Sequence, residues 1–314
     1  MTQNATRFPH CIGCDVGKAE IAVFDGKTGK SMKLPNQPEA LAKFAAMLDA
    51  GCFVVCEATG GYETVLLQAL LAAGIAAHRA DARKVKAFIR SFGTIGKTDA
   101  IDARALAIYG QERQHRLPLW QARETTRQQL QSLVLTRADL LKDRVAYQNR
   151  LAAPGSEAVK TPLQSVICCL KQHIASIEAE IKALLKACPK LARDLQIPRA
   201  IPGLGPVTAN ALLALMPELG TLNRRQAAAL AGLAPHPRQS GTKDAYRPTR
   251  GGRPEIRRAL FMAGLRAAQK SSPFHAIYKK FLENGKNPLV AITAIMRKII
   301  VVANAKLRDQ KTCV

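Results

Sequence analysis

Acidic side chains are scarce in this 314-residue sequence: 23 Asp and Glu stand against 47 Lys and Arg, a formal net charge of +24. The shortage is uneven. Residues 1–110 hold 13 basic and 10 acidic side chains, whereas the rest of the chain carries 34 and 13. A chain so poor in negative charge suits a polyanion, through steering and counterion release. An anionic membrane would satisfy the same field. However, the sequence shows no unbroken run of the roughly 18 apolar residues that a spanning helix needs, since Arg297 and Lys298 interrupt Leu289 to Val302. No secretory leader is legible before Phe8, so a cytoplasmic protein is expected, with nucleic acid as partner and no membrane. Internal repeats and low-complexity tracts are also missing, which excludes a solenoid or an array. Of the eight cysteines, Cys11 and Cys14 make a C-x-x-C in "HCIGCDVG" and Cys52 and Cys56 a C-x-x-x-C in "GCFVVCEA". Both are strand-like apolar runs unlike zinc knuckles, and buried reduced thiols are expected instead.

What is present divides into three textures. Residues 1–112 alternate short apolar runs with helical periods. "CIGCDVG", "EIAVFD" and "SMKLP" predict three strands joined by tight turns. "CFVVCEA" and "IAAHRAD" predict two more. Helical segments fall between and after them, among them "QPEALAKFAAMLDA" with a cap at Asn36, and "TDAIDARALAIYGQ". The order predicts an α/β domain, a mixed sheet whose first three strands form an antiparallel meander, with helices on its faces. Residues 113–195 carry apolar residues at i, i+3, i+4 and i+7 over two long stretches. These are interrupted near "AAPGSEAVKTP", which predicts an antiparallel, coiled-coil-like helical arm. Residues 196–314 read as a mostly helical domain, punctuated by Gly- and Pro-rich turns.

Four carboxylates in the first part stand out. Asp15 closes the first strand and Glu57 closes the strand "FVVCE". Asp99 and Asp102, in "KTDAIDARALA", share one face at the start of a helix. Each has a bland reading: Asp99 could cap its helix, and Glu57 could be a solvated strand end. As an ordered set they describe something sharper. Strand ends adjacent in space can converge with a helix end, and four clustered carboxylates repel unless cations neutralise them. Hard oxygen ligands suit Mg²⁺ or Mn²⁺, and two such ions can clamp a phosphodiester.

In the C-terminal part, "IPGLGPVTANALLALM" has the form of a helix-hairpin-helix turn. There Gly203 and Gly205 would let backbone N–H groups approach a phosphate; an ordinary helix–helix turn shares the pattern. Between Arg224 and Arg266 there are ten Lys or Arg and two acids. Within this stretch Ser240 follows Arg238 and precedes Lys243. A serine among cations, beside a glycine, could attack a phosphodiester, although Ser-Gly is also ordinary loop chemistry. His236 lies close enough in sequence to be considered as its base. Arg238, Lys243, Arg247, Arg250, Arg253, Arg257 and Arg258 are the candidate nucleic-acid contacts.

"CDVGK", "CEATGGYE" and "KTDAIDARALA" resemble, in order, the acidic motifs of the insertion-sequence-110 type transposases. "IPGLGPVTA", "LAGLAPHPRQSGT" and "RGGRPEIRRALFMA" resemble the C-terminal domain of the same family, and the resemblance spans nearly the whole chain. It implies a RuvC-like, ribonuclease-H-like first domain whose metal-binding acids are Asp15, Glu57, Asp99 and Asp102. It implies Ser240 as the nucleophile that joins covalently to cleaved DNA. The implied cofactor is Mg²⁺ or Mn²⁺, with no organic cofactor. The implied partners are double-stranded donor and target DNA, a structured guide RNA, and further copies of the chain in a dimer or tetramer. The implied setting is the prokaryotic nucleoid. A site-specific DNA invertase of the same superfamily would use the same residues. A two-metal junction nuclease would use the acids and leave Ser240 as a phosphate contact, and an architectural nucleic-acid-binding protein would need only the basic part.

Overall fold

The computed structural model describes residues 7–91, 99–122, 124–237, 239–240, 243–244 and 247–312, with the backbone alone for 99–100, 239–240, 243–244 and 311–312. Two compact units divide the chain, Met1–Arg123 and Glu124–Val314.

The first unit runs β1 (His10–Val16), β2 (Glu20–Asp25), β3 (Ser31–Pro35), α1 (Pro38–Ala46), β4 (Cys52–Glu57), α2 (Thr64–Ala72), β5 (Ala76–Ala80), α3 (Ala82–Ser91) and α4 (Asp99–Arg113). Its sheet has the order β3-β2-β1-β4-β5. The first three strands pair antiparallel, and β1, β4 and β5 pair parallel. This is the mixed sheet with a leading meander that the sequence predicts. Strands β1 and β4 lie inside it and are covered on both faces, which explains their continuous apolar runs. Ile12, Cys14, Val16, Val54 and Cys56 face Leu41 and Phe44 of α1 and Leu66, Leu67 and Leu70 of α2. On the other face Cys11, Phe53 and Val55 pack with Val85 and Phe88 of α3 and Leu106 and Tyr109 of α4. Each fully buried Leu, Ile or Phe here contributes about 1.5–3 kcal/mol.

One expected cap lies elsewhere. Gln37, not Asn36, is the N-cap residue of α1. The Asn36 amide instead donates to the carbonyls of Gly17 and Tyr62, at 2.9 and 3.1 Å. A long-range tie has displaced the local one.

The cysteines of this unit are free, and Cys11, Cys14, Cys52 and Cys56 are buried. Burial, with the neighbouring Cys52, pushes the Cys11 thiol up to about 11. Burial pushes Cys56 up to about 12.

Two acids of this unit work the other way. Burial alone would raise Asp25, but hydrogen bonds from the Thr28 N–H, His10 and the Lys27 N–H outweigh it and hold the carboxyl at about 2. Glu63, 1% exposed, is also opposed by burial. It falls below the usual carboxylate range through backbone N–H groups, including those of Thr59 and Gly61, and through Arg79. Both groups hold protons more weakly folded than unfolded. Their stabilisation is therefore complete above the unfolded carboxylate pKa of about 4 and is lost as pH falls below it, through about 2 for Asp25. The urea midpoint is expected to drop through that window, and the drop to shrink in Asp25→Asn/Glu63→Gln. An unaltered pH slope in the double variant would contradict the assignment.

In the second unit, α5 (Thr125–Ala152) and α6 (Lys160–Ala187) form a helical hairpin that turns at Gly155, where φ is +81°. Pro162 falls in the first turn of α6, where a missing N–H costs nothing. Arg137 and Glu178 tie the two helices at 2.6 Å. After them come α7 (Pro189–Arg199), α8 (Pro206–Leu215), α9 (Arg224–Leu230), the two-residue strands β6 (Gln239–Ser240) and β7 (Lys243–Asp244), α10 (Pro254–Ala267), α11 (His275–Glu283) and α12 (Pro288–Thr312). Leu130, Ile181 and Leu185 from the base of the hairpin share one core with Leu212, Ile256, Leu260, Ile295 and Ile299. Among the described residues α12 is the one helix long and apolar enough, by length and composition, to cross a membrane. This exceeds the sequence expectation. Its apolar side, Ala291, Ile292, Ile295, Met296, Ile299, Ile300 and Ala303, is buried within the unit.

Candidate active site

Asp15 stands near the end of β1 and Glu57 at the end of β4. The two strands run parallel in a register that pairs Gly13 with Val55 and Cys14 with Cys56. One residue further on, Asp15 falls beside Glu57, on strands about 4.8 Å apart. Alternation places both on the face of Cys11, Phe53 and Val55, the face that carries α4. Each carboxylate is half-buried.

Small residues bring α4 down onto this face. A Cβ built on Gly13 would lie 1.9 Å from the Ala103 carbonyl oxygen and 2.5 Å from the Ala107 nitrogen, so only glycine fits. Toward the other end of the helix, Gly110 meets Val55, Phe53 and Cys11. The helix therefore runs antiparallel to β1, and its first turn extends toward the strand ends that bear Asp15 and Glu57. Asp99 and Asp102 are on that turn. Asp102 is half-buried; the Asp99 side chain lies outside the described residues. Asp15, Glu57 and Asp102 thus share one end of the sheet. Among the described residues, the trio whose ligand atoms all lie within 4.8 Å of one another is a different one, His10, Asp49 and Cys52; the three acids are spaced more widely than that. An all-carboxylate donor set at this end fits a hard divalent cation.

Sequence reasoning missed Glu63. Its carboxylate accepts the N–H groups of Thr59 and Gly61, at 3.0 and 2.9 Å, and pairs with Arg79 of β5 at 2.6 Å. The Thr59 hydroxyl donates to the Glu57 carbonyl at 3.0 Å. The loop leaving Glu57 is thus closed on itself and held by an ion pair. The signal was in "CEATGGYE": a second acid six residues on, past a Gly-Gly that lets backbone N–H groups turn toward it.

In the second unit, Ser240 pairs with Lys243 across the β6–β7 ladder. The side chains of Ser240 and Lys243, and all of Arg238, lie outside the described residues. The hairpin's base is pinned by an isolated bridge between Pro235 and Thr249 and by the His236 N–H on the Pro248 carbonyl. The His236 Nε2 meets the Arg250 carbonyl at 3.2 Å, so that nitrogen carries the hydrogen. The arginines differ in surroundings. Arg253 grips Glu218 through both terminal nitrogens, at 2.8 and 2.6 Å, and donates to the Leu215 carbonyl. Arg257 reaches the Gly251 carbonyl, and Arg258 pairs with Glu255 at 3.2 Å. Arg247 and Arg250 are exposed. Gly203, with φ at +87°, packs against Ala263 and Ala267 of α10. Gly205 is exposed and caps α8.

A mixed sheet with Asp15 and Glu57 at its strand ends, the first turn of α4 directed toward them, and a strongly basic remainder suit a protein that acts on a polyanion. Residues 12–154 match a family described as a transposase with the DEDD acid set. Residues 196–279 match the one described as Transposase IS116/IS110/IS902 family. The chain belongs to the IS116/IS110/IS902 transposase family and is a DNA transposase or recombinase. It is similar to the pilin gene-inverting protein of Moraxella lacunata, 28% identical over 96% of both chains. It is also similar to an insertion element IS116 protein of Streptomyces clavuligerus, 26% identical over 96% of this chain and 95% of that one. The transposase for insertion sequence element IS1111A of Coxiella burnetii is 30% identical over 63% of this chain and 60% of its own. The family and the acid set together point to divalent-metal use.

Proposed function

We propose that this chain cuts and rejoins double-stranded DNA through a phosphoserine at Ser240, with Mg²⁺ held by Asp15, Glu57, Asp99 and Asp102. The observation that carries the reading is the parallel register that sets Asp15 beside Glu57 under the first turn of α4. Those acids would hold the cation, which supplies neutralisation of the charge that develops on the attacked phosphate. The Ser240 oxygen attacks phosphorus and loses its proton to a base or to water. A P–O bond of the strand breaks, and the departing DNA oxygen takes up a proton. The phosphoserine ester keeps the bond energy until a hydroxyl of another strand attacks the same phosphorus and frees Ser240.

In this reading the three functional parts are residues 1–112, 113–195 and 196–314. The α5–α6 hairpin is the coiled-coil arm that joins copies into a dimer or tetramer. Gly203 and Gly205 belong to a helix-hairpin-helix on the DNA backbone. Arg238, Lys243, Arg247, Arg250 and Arg258 contact phosphate of DNA or of a structured guide RNA, whereas Arg253 and Arg257 hold the loop that presents them. The work takes place in the cytoplasm, on the nucleoid. A relative's name, a gene-inverting protein, favours a second outcome of the same chemistry, inversion in place of insertion.

The test is a substrate nicked so that rejoining is blocked. A denaturant-stable protein–DNA adduct is expected, with mass spectrometry finding the nucleotide on the Ser240 peptide. Ser240→Ala should form no adduct and cut nothing. If Ser240→Ala still cuts, the two-metal nuclease reading replaces this one.

A further inference from the structure

The opposite end of the same sheet carries donors of a different kind. His10 opens β1 and Cys52 opens β4, and the parallel register pairs them directly. Asp49 lies in the turn just before Cys52. One ligand atom from each of the three lies within 4.8 Å of the others. Asp15 and Glu57 close the same two strands five residues further on, about 16 Å away at 3.3 Å per residue. We propose that His10, Asp49 and Cys52 form a second metal site, of the zinc class, separate from the acids.

The spacing fits. Zinc bonds of about 2.3 Å to sulfur and 2.0–2.2 Å to nitrogen or oxygen put tetrahedral ligands roughly 3.5 Å apart. The Cys52 Sγ is 3.2 Å from the His10 Nδ1 and 3.7 Å from the Asp49 Oδ1. A thiolate, an imidazole and one carboxylate select zinc over magnesium. Three protein ligands leave the fourth position for water.

The outer contacts are those of a metal-bound histidine. The His10 Nε2 is 2.6 Å from the Asp25 Oδ1, which also accepts the N–H groups of Lys27 and Thr28. A carboxylate so placed keeps the hydrogen on Nε2 and leaves the Nδ1 lone pair facing Cys52, the arrangement that orients ligating imidazoles. Asp49 is likewise oriented: its Oδ1 accepts the Gly51 N–H at 2.8 Å, and its backbone carbonyl accepts the Cys52 N–H at 3.0 Å. The exposed Asp49 gives an entry path, while Cys52 is 1% exposed. Binding replaces the Cys52 S–H bond by a sulfur–metal bond and releases that proton to water. An ion here would join β1, the turn into β4 and, through Asp25, the end of β2.

Cobalt(II) reports the site without any DNA chemistry. Full-length protein, stripped with a chelator, is titrated with Co²⁺. One equivalent is expected to give a thiolate-to-cobalt charge-transfer band and the intense visible bands of tetrahedral cobalt. One equivalent of Zn²⁺ should abolish both. Cys52→Ser and the surface variant Asp49→Asn should each lose the charge-transfer band or weaken Co²⁺ binding at least tenfold. Asp15→Asn and Cys14→Ser should keep it. Cys168 and Cys169 are exposed thiols on α6, so Cys168→Ser/Cys169→Ser must keep the band too. No band in the wild type, a band that survives in Cys52→Ser, or one that disappears in Cys168→Ser/Cys169→Ser would overturn the proposal.

Discussion

Asp15→Asn is expected to slow DNA strand cleavage roughly a thousandfold and to leave the unfolding midpoint close to that of the wild type. The substitution keeps shape and removes one negative charge. Asp15 is half-buried at a strand end, outside the apolar clusters, so the fold loses little. The chemistry loses more. A cation that neutralises a phosphodiester in its transition state contributes several kcal/mol, and about 4 kcal/mol corresponds to a factor of 10³. Asp102→Asn should behave alike. Glu20→Gln is the control: Glu20 opens β2 on the same unit but is exposed and paired with Lys33 at 3.0 Å. Cleavage of labelled DNA at fixed Mg²⁺ reads all three. Equal rates for Asp15→Asn and Glu20→Gln would remove the acids from the mechanism.

Gly13→Ala is expected to destabilise the first unit by about 3 kcal/mol or more, the upper end for overpacking. The added methyl would meet the Ala103 oxygen at 1.9 Å and the Ala107 nitrogen at 2.5 Å. Both are main-chain atoms of a helix, which cannot rotate aside as a side chain can. The helix must lift from the sheet, carrying Asp102 away from Asp15 and Glu57. Any folded fraction should therefore also cleave at least a hundredfold more slowly, since about 1 Å of misplacement costs that much. Gly205→Ala meets open space at an ordinary φ of −76° and should cost less than about 1 kcal/mol. Urea unfolding followed by single-turnover cleavage separates the two losses. A Gly13→Ala protein with unchanged stability would mean that α4 does not rest on β1 in this way.

Much of the candidate active site was legible because its signals are local. An acid at the end of an apolar run marks a strand leaving a buried sheet, and Asp-x-x-Asp marks one helix face. The partners of buried polar groups were not legible. Glu63 is written as one more acid, and nothing near it names Arg79, sixteen positions on. His10, Asp25, Asp49 and Cys52 are scattered over 43 positions. The strand-like apolar run around Cys52 argued against metal, because nothing local joins that sulfur to His10, 42 residues earlier, or shows Asp49 turned back onto it. Arg253 looked like its basic neighbours until Glu218, 35 residues earlier, was seen to hold it.

By itself the sequence determined the strand and helix periods, the split between a nearly neutral first part and a strongly basic remainder, and the order of the four acids. Those properties belong to neighbouring residues and survive in any fold with the same elements. Only the tertiary structure decided that Asp15 lies beside Glu57 at one end of the sheet while His10 lies beside Cys52 at the other. The reason is register: a parallel pairing slipped by one residue would turn every side chain to the opposite face. The close approach of α4 to Gly13, and of Gly110 to Phe53 and Val55, distinguishes one face of these strands from the other.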